Sequence, residues 1–312
     1  MKLKHTGRRA AARRVFWSAA VVWLAASGCA DERRDIGAAR EAYASGKYEE
    51  ALSLCERSIR QGKADGLVYY YSGMSLLALE KDAEAEDRFR AAIASDTTLV
   101  DDVAGALLER ARASRDEGTM PRAALLARAA GEIDRDAVVG PLRFLVALSY
   151  FEERNWPEAA YWYSGAVAEN PDTVAAESAY FNLAACRAAM GDSLLAIEAL
   201  ETELEKFPRG ALSDRAAWTL SSLLFALAKT EFARGDYDAA LRTAERIVDG
   251  SPDERLVREA MFLTGECFER MGEFDRAFEQ YKAIATADRG APGGISERAR
   301  SKMKSFRDAG LR

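Results

Sequence analysis

Histidine is nearly missing from this sequence: its 312 residues contain one, His5. Past that position no imidazole is available for a Ser–His–Asp or Cys–His nucleophile, a histidine metal site or the usual general base near neutral pH. Cysteine is scarce as well, with four in all. Cys55, Cys186 and Cys267 are odd in number and far apart, which argues against a disulfide framework, and no CxxC pair or P-loop occurs. Each of the three falls in a helix-like pattern where a small apolar side chain packs well, so buried free thiols are expected. Beyond the N-terminal segment no apolar run is long. The longest, Ala216 to Ala228, includes Ser and Thr and falls short of the roughly 20 residues that a membrane-spanning helix needs. Carboxylate pairs such as Glu49-Glu50 and Glu152-Glu153 read as surface charge in so acidic a chain. No catalytic residue, metal site or cofactor is predicted.

What is present begins with a charge asymmetry. The composition, 49% hydrophobic and 30% charged, is that of a globular protein with ample core material. The formal net charge of −6 is split unevenly, because residues 1–28 hold six Lys/Arg and no acid. Residues 29–312 are left with 38 bases and 50 acids, a net charge of −12. That balance argues against nucleic-acid affinity. The basic start, the apolar stretch from Val15 to Ala26 and the small residues after it form a secretory signal peptide.

Ala26-Ser27-Gly28-Cys29 resembles the lipobox of bacterial lipoproteins, in which the Cys becomes the acylated first residue of the mature chain. The family usually has an aliphatic residue where Ala26 stands. The resemblance implies lipid attachment at Cys29, a leader over 1–28, a short linker over 29–35 and anchoring in the cell envelope. Each buried CH₂ adds about 0.8 kcal/mol, so several acyl chains make a lasting tether. Ala30 rather than Asp after the Cys implies the outer membrane, facing the periplasm.

The rest of the chain repeats. Seven segments, among them "YEEALSLCERSI", "PEAAYWYSGAV" and "YDAALRTAERI", align on Ala51, Ala85, Ala123, Ala159, Ala196, Ala240 and Ala277, with spacings of 34, 38, 36, 37, 44 and 37. Twelve residues upstream of each stands a small residue: Ala39, Gly73, Ala111, Ala147, Ala184, Ala228 and Gly265. Five residues before the anchor, five of the seven segments have glycine: Gly46, Gly118, Gly191, Gly235 and Gly272. This pattern predicts a helical hairpin. Small residues on helix A and helix B meet at close approach, and a left-handed glycine ends helix A. The prolines fit: Pro121, Pro141 and Pro157 open helices, while Pro171, Pro208 and Pro252 fall where helix B must stop. The spacing of 44 predicts a longer connection or helix between Pro208 and Gly235.

With this register the chain resembles the tetratricopeptide repeat family, whose period is about 34 residues. Tyr150, Trp156, Ala159, Tyr163, Ala166 and Pro171 follow its consensus in order. The resemblance implies an all-α fold: a right-handed superhelical α-solenoid of about seven hairpins over 36–288. A Gly-rich linker and a C-terminal capping helix over 289–312 complete it. It also implies that A helices line a concave groove. Ten residues before each turn stand Ile36, Tyr70, Leu108, Phe144, Phe181, Phe225 and Phe262, every one apolar. Nearby positions add Met74, Leu148 and Lys229, then Tyr43, Leu77, Phe151 and Phe232. The candidate partner-binding residues are therefore Tyr70, Met74, Leu108, Phe144, Phe151, Phe181, Phe225, Phe232 and Phe262. Two readings stay open: an aromatic channel for a partner segment, or a ladder buried against its own neighbours. Asn182 fits one position of the family's peptide-carboxylate clamp, but the ladder occupies the clamp's lysine position. The segments "EKFPRGALSDRAAW" and "ATADRGAPGGISERAR" resemble linkers of BamD-like outer-membrane lipoproteins and of Tol-Pal-associated proteins. The function implied is a lipid-anchored scaffold that binds other envelope proteins, as in outer-membrane protein assembly. The alternative is an accessory subunit of a dedicated secretion, export or Tol-Pal-type machine.

Overall fold

The computed structural model describes residues 36–287 and 294–311. The expected leader, Cys29 with its linker, and residues 288–293 of the Gly-rich connection lie outside the described residues. Among the described residues all regular structure is helical. The helices are α1 (36–44), α2 (Tyr48–Arg60), α3 (Gly66–Ala78), α4 (Asp82–Ser95), α5 (Val100–Asp116), α6 (Met120–Ile133), α7 (Pro141–Glu152) and α8 (Trp156–Glu169). They continue as α9 (Val174–Ala189), α10 (Ser193–Lys206), α11 (Ser213–Arg234), α12 (Tyr237–Gly250), α13 (Glu254–Met271), α14 (Phe274–Ala287) and α15 (Ile295–Asp308). None of the described helices is long and apolar enough to cross a membrane.

The described residues form two compact units, one up to residue 145 and one from residue 146. Within each, consecutive helices pack as antiparallel hairpins, such as α3 on α4 in the first and α11 on α12 in the second. The A helices of successive hairpins also touch, α3 with α5 and α11 with α13. This is α-solenoid architecture, and the hairpin boundaries are those the sequence spacing predicts.

The contact that builds each hairpin is between small residues. All seven anchor alanines of the B helices, Ala51 to Ala277, are 0% exposed, and the seven small residues on the A helices are buried as well. One turn after each anchor the B helix places a residue of varied size: Cys55, Phe89, Ala127, Tyr163, Leu200, Ala244 and Tyr281, all buried. Glycine stands on helix A opposite two of the three aromatic rings in this set. A Cβ on Gly73 would lie 2.7 Å from the ring of Phe89, and one on Gly265 would lie 2.5 Å from Tyr281. Neither ring has space to retreat, since both are fully buried. Tyr281 is further held by the hydrogen bond its hydroxyl donates to Glu269 at 3.0 Å.

The turn between A and B helices requires a left-handed residue in every hairpin. The five turn glycines have φ from +74° to +87°. The two hairpins without glycine put Glu80 (φ +62°) and Arg154 (φ +59°) at the same place. Glu80 is compensated by ion pairs with Arg110 (3.3 Å) and Arg122 (2.9 Å); Arg122 in turn grips Asp82 at 2.7 Å, fastening α6 to the α3–α4 turn. The extra residues implied by the spacing of 44 go into a helix: α11 has 22 residues, ending at Gly235. Cys55, Cys186 and Cys267 are free and buried, as expected. Burial pushes the Cys55 and Cys267 thiols up to about 12 and that of Cys186 up to about 11. The C-terminal α15 lies on α13 and α14, seating Ala299 and Phe306 in their apolar cluster.

One buried feature works against stability. Glu203 on α10 is 0% exposed, and neither carboxyl oxygen has a hydrogen-bond partner. Its neighbour is Glu177 on α9, also buried, which accepts from the backbone N–H of Leu212 at 2.5 Å and so pins the α10–α11 connection. Burial, and then the charge of Glu177, push the Glu203 carboxyl up to about 7.

Gly265→Ala gains about 1 kcal/mol in helix propensity but drives a methyl into an immobile ring. Overpacking dominates, and a net loss of about 1–3 kcal/mol is expected in urea unfolding. Arg154→Gly, which relieves a left-handed residue, should instead raise the midpoint, by about 0.5–1 kcal/mol in stability. For Glu203 the folded pKa of about 7 lies above the ordinary 4.5. The protonated form is therefore favoured by folding, and stability present below pH 4.5 is lost as pH rises through 7, by about 3 kcal/mol at most. Glu203→Gln should remove that pH dependence and be the more stable protein at pH 8. Melts of both proteins from pH 4.5 to 8 check this, and parallel curves would contradict it.

Candidate partner-binding surface

The A helices line a cleft in each unit. In the first unit Tyr43 of α1, Tyr48 of α2, Tyr70, Met74 and Leu77 of α3, and Glu109 and Arg110 of α5 surround about 530 Å³. The rings form a connected set: Tyr43 lies 5.4 Å from Tyr48 and 6.2 Å from Tyr71, and Tyr70 lies 5.4 Å from Tyr71. Edge and tilted ring contacts of this kind add about 0.5–1.5 kcal/mol each beyond area burial. Burial, above all, pushes the Tyr70 phenol up to about 12 and raises that of Tyr43, so both stay neutral donors at physiological pH.

In the second unit a cleft of about 470 Å³ runs between α11, α13 and α15. From α11 come Trp218, Ser222, Phe225 and Lys229; from α13 Arg255, Leu256, Glu259, Phe262 and Glu266; from α15 Arg298. The α11 residues recur at steps of four, three and four, which puts them on one helix face. Extending the stripe by three residues each way adds Arg215 and Phe232. Its composition is basic, aromatic, polar, aromatic, basic, aromatic.

The nine candidate residues divide by depth. Tyr70, Met74, Phe144, Phe151, Phe181, Phe225 and Phe232 are half-buried. Leu108 and Phe262 are core residues, 4% and 3% exposed, so they form the floor of the groove rather than its contact surface. The cause for Phe262 is the ring of Tyr281 at 5.3 Å beneath it and the guanidinium of Arg298 at 4.2 Å above. Phe151 packs on Trp156 and Tyr163 within its own hairpin, at 5.4 and 6.1 Å. Asn182 donates to the Tyr163 hydroxyl at 3.0 Å. The roots of the ladder are thus buried, and most of its rings keep part of their surface open.

Cations cover that face in the second unit. Arg215 of α11 lies 4.8 Å from the ring of Phe181 on α9, Arg270 of α13 lies 5.7 Å from Phe232 on α11, and Arg298 of α15 covers Phe262 on α13. Helices α11, α13 and α15 each lay an arginine on an aromatic ring of the helix stacked before them, worth about 0.5–1 kcal/mol at an exposed site. Sequence reasoning by repeat register missed these arginines and Trp218, which is 55% exposed. The signal was the three- and four-residue periodicity of α11 itself, which the seven-fold alignment does not sample. Among the described residues no cluster of three or more His, Cys, Asp or Glu is placed to hold a metal ion.

The family profile for tetratricopeptide repeat matches residues 36–98 and 225–292, the first two and the last two hairpins in large part. Among curated proteins nothing matches. Similar solved structures include the Naa15/Naa10 complex bound to HypK-THB, at 16% identity and a TM-score of 0.38, covering 89% of this chain. This chain spans 39% of that one. A tetratricopeptide repeat protein from Parabacteroides merdae has 16% identity and a TM-score of 0.32, covering 88% of this chain and 97% of its own. Pseudomonas aeruginosa pilF has 12% identity and a TM-score of 0.28, covering 91% and 99%. Scores this low carry no argument about function. Tetratricopeptide repeats as a class are scaffolds whose stacked helices present extended surface to other proteins.

Floor and surface should respond differently to truncation. Phe262→Ala is expected to cost about 3–5 kcal/mol in urea unfolding. Trp218→Ala should stay within about 0.5 kcal/mol of the parent. Similar losses at both sites would mean that Trp218 is part of the core.

Proposed function

We propose that this protein is a scaffold of the bacterial cell envelope. A lipid on Cys29 holds it to the membrane, and the A-helix clefts of its two units bind other envelope proteins. The observation that carries the reading is the second-unit cleft: an exposed Trp218 beside half-buried Phe225, on a rigid helix whose opposite face is spent in the hairpin core. Exposed aromatic side chains on a fixed frame suit partner binding, because little entropy is lost when they are covered. The anchoring part rests on the basic start, the apolar run from Val15 to Ala26 and the sequence Ala26-Ser27-Gly28-Cys29. Outer-membrane placement rests on Ala30, and a role in barrel assembly on the local likeness of "EKFPRGALSDRAAW". That connection is the one Glu177 pins, which gives its fixed course a physical basis. The same likeness supports the second reading, an accessory subunit of a dedicated export or Tol-Pal-type machine. The chemistry proposed is recognition, with no turnover.

Crosslinking in intact cells followed by mass spectrometry tests this, with a Cys29→Ser version beside the parent. The expected result is a defined set of envelope proteins with the parent, fading when the tether is removed. Barrel-assembly components would support the first reading, and components of one export or Tol-Pal machine the second. Recovery of the same abundant bystanders with both versions would contradict the proposal.

A further inference from the structure

The connection from α10 to α11, residues 207–212, is fastened at one point. Its own turn is closed by the Gly210 N–H, which donates to the Phe207 carbonyl at 2.9 Å. Among the described residues, its only hydrogen bond to another helix is the one the Leu212 N–H donates to Glu177 of α9. The fit there is tight. A Cβ on Gly210 would lie 2.6 Å from the Glu177 carboxyl carbon, so glycine is what lets the connection close over that carboxylate. Beside it on α10, Glu203 is wholly buried with both carboxyl oxygens unpartnered. A buried carboxylate without hydrogen bonds is costly, and a second one next to it raises the cost of ionising. Few other groups bear on the pair. Tyr180 of α9 is buried, and burial raises its phenol. Lys206, one turn on along α10, is held at the surface by Asp172 at 2.9 Å. Arg209 of the connection, and Asp214 and Arg215 at the start of α11, are exposed. None of these cations pairs with Glu177 or Glu203.

We propose that Glu203 and Glu177 form a pH-operated latch on the α10–α11 connection. With Glu203 protonated the connection stays closed on α9. When Glu203 gives its proton to solvent, two buried carboxylates repel, the Leu212 hydrogen bond to Glu177 breaks, and the connection lifts to admit water to both. Burial, and then the charge of Glu177, hold the Glu203 carboxyl at about 7 against an ordinary 4.5. The closed form therefore binds the proton more tightly. Its advantage is complete below pH 4.5, falls as pH rises and is gone above 7. Local opening suffices, because the connection has one hydrogen bond to lose while the α9–α10 hairpin keeps its buried Ala184–Ala196 crossing. The first turn of α11 carries Arg215, which lies 4.8 Å from the ring of Phe181 on α9, and Trp218 follows it. Opening withdraws that arginine from its ring and ties the surface around Trp218 to pH. In that last respect the inference rests on the scaffold reading; the latch itself does not.

Amide hydrogen exchange of the full chain tests this, read by mass spectrometry from pH 4.5 to 7.5 and divided by the intrinsic rate at each pH. In the peptide spanning 207–218 the opening constant should climb to pH 7 and then level off, a total rise of about 300-fold. The peptide spanning 272–283, in the same unit, should stay constant. Glu203→Gln should hold the latch shut and flatten the profile. Glu177→Gln keeps an oxygen for the Leu212 N–H and removes the neighbouring charge, so it should shrink the rise by about threefold or more. That variant keeps the test decisive if Glu203→Gln does not fold. A flat profile in the parent, an equal rise in both peptides, a rise that persists in Glu203→Gln, or an undiminished rise in Glu177→Gln would overturn the inference. No partner takes part in this measurement, so its failure leaves the scaffold reading standing, and failure of the crosslinking leaves the latch standing.

Discussion

Everything in this molecule depends on two backbones lying close together. In each hairpin a small residue of helix A meets an alanine of helix B, and all seven of those alanines are wholly excluded from solvent. Interaxial distance in helix pairs follows the size of the side chains at the contact, so this one choice sets the spacing of every hairpin. It also leaves little room for error. At two of the three places where the B helix supplies a full ring at the next position, Phe89 and Tyr281, the A helix gives up even its methyl and becomes Gly73 or Gly265.

Close approach on one side of an A helix frees the opposite side for other work. Larger side chains are displaced toward the neighbouring A helix, where they are rooted in the core yet keep one face open. In the second unit several of those faces are covered by arginines from the next helix on the same side, and Glu259 of α13 is paired with Arg298 of α15. What remains uncovered is a small region on α11 and α13, aromatic in its centre, with Lys229 and Arg255 beside Asp253 and Glu266 at its edges.

Hairpin register was legible because it rests on residue types that tolerate few alternatives. A left-handed turn favours glycine, a tight crossing favours alanine, and proline is barred from helix interiors. Even the two exceptions, Glu80 and Arg154, could be located by register, although their strained backbone could not. The ladder was legible as a set of positions and not as a depth. Leu108 and Phe262 sit in the same register as the half-buried Tyr70 and Phe225; Phe262 is set apart by the ring of Tyr281 behind it and the guanidinium of Arg298 above, both from other helices. Trp218 was missed for a related reason: α11 extends past the repeat, so an alignment of seven segments passes over its first turns. The pairing of Glu203 with Glu177 left no trace in the sequence, since both fall among ordinary helical glutamates.

The most direct measurement is photo-crosslinking in living cells from a benzophenone amino acid placed at Trp218, compared with the same probe at Val174. Val174 is the more exposed of the two, at 88% against 55%, but lies outside the cleft residues. A recognition surface predicts discrete adducts from position 218 and none in common with position 174. The same adducts from both positions, or none from 218, would contradict the account.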